Sequence, residues 1–85
     1  MIHAREDYNK RIQDSEGIIP TDEPVFLLRG QDVTAPLVVE FWADRAEKAG
    51  ALPNIVAAAR RQAFDMLTWQ RLHLVKVPDM PPQMI

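Results

Sequence analysis

The four residues Arg29-Gly30-Gln31-Asp32 set a guanidinium, a glycine, an amide and a carboxylate side by side where an apolar run gives way to a helix. That set suits binding. A guanidinium pairs with phosphate oxygens, and the free N–H groups of a helix's first turn attract the same anions. An amide and a carboxylate grip ribose hydroxyls or base edges. Gly30 offers the backbone freedom for a sharp turn into the helix. The same residues also have a self-contained use, in which Asp32 pairs with Arg29 and the pair stiffens the turn. The two uses differ in whether the site stays open to solvent.

Three more residues join this set. Tyr8, with Arg5 on the same side of its segment, offers a ring and a neighbouring cation. Stacking a base on such a ring is worth about 1–3 kcal/mol, although the ring could equally dock its segment on the core. Arg60 lies along the groove beside the second helix, open to a ligand or to a salt bridge with Asp44 or Glu47. Arg61, about 100° further round, faces solvent.

No residues mark a catalytic or metal centre. His3 and His73 are far apart and form no metal-binding pair. The glycines at 17, 30 and 50 make no phosphate loop, and Ser15 has no nucleophile context. The expectation is a protein that is not an enzyme and carries no cofactor or metal.

Composition narrows the class. The chain has 85 residues, of which 47% are apolar, and no cysteine to supply a disulfide or a thiolate site. A single domain of this size buries only about 60–65% of its unfolded surface. So much apolar content in so small a domain predicts a homo-oligomer, formed through the third helix with Phe64 and Trp69. Ten basic and twelve acidic residues give a net charge of −2. That balance argues against coating a nucleic-acid duplex, but two or three arginines suffice for a small phosphate-bearing ligand. No apolar run approaches a membrane span and no signal peptide is evident, so the chain is expected to be cytoplasmic.

The elements that must hold these residues read as all-α: an antiparallel helix hairpin, a short N-terminal helix and an extended connector with prolines. Residues 1–17 carry the first helix, over 3–15, with Gly17 as its stop. Its apolar face, Ala4, Tyr8 and Ile12, is thin. Residues 18–33 are the connector, in which a strand at Val25–Leu28 has no partner, so Phe26 and Leu28 are expected to pin it to the core. The hairpin fills 34–77. Its first arm runs from about 35 to 49 with Thr34 as N-cap and Gly50 as stop. Leu37, Val38, Phe41, Trp42, Arg45 and Ala49 share one face of that arm, and Glu40, Asp44, Glu47 and Lys48 share the other. The second arm runs from Pro53 to about 75, with Ile55, Val56, Ala59, Ala63, Met66, Leu67 and Leu74 as its core stripe. Residues 78–85 form an extended tail.

The stretches "IPTDEPVFLLRGQDVTAP", "EFWADRAEKAGA" and "ARRQAFDMLTWQ…KVPDMP" together resemble a family of small bacteriophage and prophage proteins. The likeness spans about residues 18 to 81 and is most specific in "DEPVFLLRGQD" and "VPDMP". It departs at "ALPNI" and "LHLVKV", which are more apolar than the pattern. The resemblance implies origin more than mechanism. Small phage proteins often counter bacterial immunity, in the cytoplasm of the infected host. One class sequesters a nucleotide second messenger, such as a cyclic oligonucleotide or an ADP-ribose derivative, without cleaving it. A second class covers a host defence or regulatory protein, and a third is structural. By analogy the first is the leading reading, with Arg29, Gln31, Asp32, Arg5, Tyr8 and Arg60 as ligand-binding residues.

Overall fold

The computed structural model describes residues 2–3, 6–9, 11–78 and 80–82. Two helices dominate them, α1 over Ala35–Lys48 and α2 over Pro53–Leu72. Four residues join the two, and they pack as the expected hairpin. Each helix begins as the sequence dictates, with a proline in its first turn where no intrahelical N–H is needed. α1 stops at a left-handed glycine: Gly50, at φ 92°, donates to Glu47 O while Ala51 donates to Ala46 O at 2.9 Å. Those two bonds are the Schellman pattern, which satisfies carbonyls the helix leaves open. No helix among the described residues is long and apolar enough to cross a membrane.

Apart from Gln70, the residues that the helices bury are small. Ala35, Pro36 and Ala43 are buried on α1, and Val56, Ala63 and Gln70 on α2. Residues 56, 63 and 70 recur every seven positions, the spacing of a helix–helix seam. Alanines let the backbones approach closely but remove little apolar area from water. The apolar face of α1 points outward. Leu37 is 79% exposed, Phe41 65% and Trp42 52%, and Val38 and Arg45 lie beside them in solvent. The expected core positions Ile55 and Leu67 on α2, and Leu74 just beyond it, are also exposed.

An ion cluster helps to set this orientation. Arg60 of α2 meets three carboxylates of α1: Asp44 at 2.8 Å, Glu40 at 3.0 Å and Glu47 at 3.7 Å. The acidic flank of α1 therefore turns towards α2, and the large apolar residues turn away.

The N-terminal segment departs from the helix expected over 3–15. Among its described residues the regular structure is a 3₁₀ turn, Glu6–Tyr8, preceded by a two-residue strand β1, Ile2–His3. A short helix with so thin an apolar face is marginal, and local bonds compete with it. The Tyr8 carbonyl accepts from Arg11 and Ile12, and the Asp14 carboxylate accepts the N–H groups of Ile18 and Ile19. β1 pairs in parallel with β2, Pro24–Val25, so the strand expected to lack a partner has one. Just beyond it, Leu28 is half-buried but Phe26 is 67% exposed rather than in the core.

α2 ends three residues earlier than the sequence suggested, because the chain after Leu72 is used elsewhere. Lys76 forms a parallel bridge with Asp32: Val33 N–H donates to Lys76 O and Lys76 N–H to Gln31 O, both at 2.9 Å. Val75, beside it, is buried. The helix end itself is closed by His73, whose Nδ1–H donates to the Trp69 carbonyl while the two rings stack at 3.9 Å.

Candidate functional site

The turn from Arg29 to Asp32 is held from three directions. On the α2 side, the Gln70 amide donates to the carbonyls of Gly30 at 2.9 Å and Asp32 at 2.8 Å. On the far side stands the Lys76 bridge. Along the chain, Asp32 Oδ1 accepts both the Thr34 N–H at 2.8 Å and the Thr34 hydroxyl at 2.7 Å. Thr34 occupies the N-cap position but its side chain makes no capping bond; it serves the Asp32 carboxylate instead. A backbone fixed in this way presents its side chains in one geometry.

Gly30 does not bring the left-handed turn expected of it. Only Gly17 and Gly50 have positive φ among the described glycines. A Cβ on Gly30 would meet Met66 Cγ at 3.7 Å, an ordinary contact. Neither conformation nor space demands glycine there.

Arg29, Gln31, Asp32 and Tyr8 line one cavity of about 130 Å³, together with Lys76, Phe26, Leu27 and Pro78. Four of the six residues chosen from sequence therefore converge. Among the described residues no ion pair joins Arg29 to Asp32, and Asp32 Oδ2 accepts no hydrogen bond. Two cations and one carboxylate give the cavity a net positive lining. Arg29 also borders a larger hollow, of about 360 Å³, on the α2 side with Asp65 and Trp69. That hollow brings Arg29 no second cation.

Tyr8 takes its place differently from expectation. It is 5% exposed, so its ring walls the cavity instead of offering an open face for stacking, and Arg11 lies 5.9 Å from the ring centroid. Arg5 lies outside the described residues. Arg60 stands apart from the cavity, engaged by its three carboxylates. Its hydrogen bond to Asp44, with further help from Glu40 and Glu47, outweighs desolvation and raises its pKa above the ordinary arginine value.

Two members of this site were missed from sequence. Lys76 sits in a stretch read as helix end and tail, and only the bridge to Asp32 brings it to the turn. Gln70 was passed over because it is polar. Its seven-residue spacing from Ala63 and Val56 was the available signal. Among the described residues no group of three or more His, Asp or Glu side chains is placed to hold a metal ion.

No protein-family model matches this chain, and comparisons with curated proteins and with solved structures give no match either.

Proposed function

We propose that this chain is a non-catalytic binding protein that retains a small phosphate-bearing ligand of nucleotide type at the Arg29–Asp32 turn. The observation that carries the reading is the shared cavity: Arg29 and Lys76 for the phosphate, Gln31 and Asp32 for hydroxyls or a base edge. The cavity is small. About 130 Å³ is well below the roughly 300–1,000 Å³ of sites that enclose a drug-sized molecule. It suits a phosphate with part of its sugar, the rest of the ligand lying over Phe26 and Leu27. If the chain is a phage or prophage product acting in an infected bacterium, a cyclic oligonucleotide or ADP-ribose-type immune signal fits that chemistry, and holding it intact is enough to silence it.

The test is to incubate the protein with cyclic dinucleotides, cyclic trinucleotides and cyclic ADP-ribose isomers, remove free ligand, and release what remains by heat. An intact ligand is expected. Arg29→Ala and Lys76→Ala should each weaken retention roughly tenfold or more, the value of one charge-assisted hydrogen bond. A chemically altered product would make the protein an enzyme. No retention at all, with clean capture of a host protein, would favour the second reading, an inhibitor or adaptor that covers a defence or regulatory protein. That reading rests on the outward apolar face of α1.

A further inference from the structure

The largest unexplained feature is the outer face of α1. Leu37, Val38, Phe41 and Trp42 occupy adjoining positions at i, i+1, i+4 and i+5 and all face solvent. Apolar grooves of about 460 and 490 Å³ flank the helix, one with Phe64 and Leu67, the other with Phe26 and Leu28. A continuous apolar surface of this kind marks an interaction site.

We infer that this face is covered by a second copy of the chain, the two α1 helices packing antiparallel about a two-fold axis near Phe41 to complete a four-helix arrangement. Two observations select this occupant.

The first is area. The chain exposes 6665 Å², about 1,500 Å² more than the roughly 5,100 Å² expected of a folded monomer of its mass. Two-thirds of that excess, buried by both copies, already reaches the roughly 2,000 Å² at which obligate homodimer interfaces begin. An excess of that size is about what a second hairpin packed on α1 would cover.

The second is charge. Arg60 engages Glu40, Asp44 and Glu47, of which Glu40 also lines the groove with Phe64 and Leu67, and the α1 cations Arg45 and Lys48 both stand in its last turn. A parallel pair would bring four cations together and align the helix dipoles. An antiparallel pair puts the cations at opposite ends and opposes the dipoles. Phe26 lines both the groove beside Trp42 and the ligand cavity, so the partner copy would stand at the cavity's mouth.

The absence of cysteine makes the test direct. Light scattering at micromolar concentration should give twice the 9.7 kDa chain mass. Phe41→Glu and, separately, Leu37→Lys should each halve that mass while the helical circular dichroism signal persists, since both side chains are exposed in the single chain. A lone cysteine at Phe41→Cys should cross-link two chains readily under oxidation, and one at Lys48→Cys should not. A monomeric mass for the unaltered protein would overturn the inference. So would an unchanged mass in both variants, or cross-linking through position 48 as fast as through 41.

Discussion

The side-chain amide of Gln70 donates to the Asp32 carbonyl at 2.8 Å, thirty-eight positions away in sequence. It ties the Arg29–Asp32 turn to the seam between the helices, and Gln70 is 2% exposed. Replacing it by alanine or leucine leaves the Gly30 carbonyl without its side-chain donor, while the Asp32 carbonyl keeps the Ala35 N–H at 3.0 Å. Leaving a buried polar group unsatisfied costs about 1–3 kcal/mol. Gln70→Leu, which keeps most of the volume, should therefore destabilise by that amount in urea unfolding. An unchanged midpoint would mean that water replaces the amide without loss.

The glycines give a paired prediction. Gly30→Ala should be neutral or stabilising by up to about 1 kcal/mol, because its backbone suits alanine and the unfolded chain loses freedom. Gly50→Ala should destabilise by about 1 kcal/mol, since its φ of 92° strains any residue with a Cβ. Thermal unfolding of the two variants checks the contrast, and equal losses at both positions would contradict the assignment of the turn.

Much of the fold was legible because it rests on local signals. Pro36, Pro53 and Gly50 mark helix ends by fixed backbone rules, and the structure starts and stops α1 and starts α2 within two residues of those marks. The orientation of α1 was not legible. Periodicity identifies an apolar face but not what covers it, and the structure turns the Leu37–Trp42 face outward while the acidic flank meets Arg60. The parallel pairing of Ile2–His3 with Pro24–Val25 was hidden for a similar reason, since two residues carry no period. At the site, Arg29, Gln31 and Asp32 stood out by type. Lys76 and Gln70 arrive through long-range contacts that no local pattern announces.

Arg60 holds three carboxylates, and its removal leaves Glu40, Asp44 and Glu47 facing one another. Arg60→Ala should lower the unfolding temperature, most of all at low ionic strength, with added salt restoring part of the loss by screening the repulsion. Arg60→Lys should recover less than full stability because one ammonium cannot span the fork. The raised pKa fixes the sign of any pH effect. A cation whose folded pKa exceeds its unfolded value stabilises fully below the unfolded value and loses this only as pH rises through the folded one. For Arg60 both lie at the alkaline extreme, so its own titration should leave stability unchanged from mild acid to mild base.

Arg29 is exposed and has no ion pair among the described residues. Arg29→Ala should shift unfolding free energy by no more than about 0.5 kcal/mol, as for surface changes in general. A loss several times larger in chemical denaturation would assign the residue to the fold instead of to a ligand.

The central claim is that the Arg29–Asp32 turn and Lys76 form a ligand site, and amide-resolved NMR titration tests it most directly. The probe is whichever cyclic nucleotide the protein retains, with inorganic phosphate as a minimal anion in parallel. Saturable shifts are predicted for Gly30 to Val33, for Tyr8 and for Val75 to Val77, and they should vanish in Arg29→Ala. Shifts confined to Leu37–Trp42, or no saturable shift with either probe, would contradict the account.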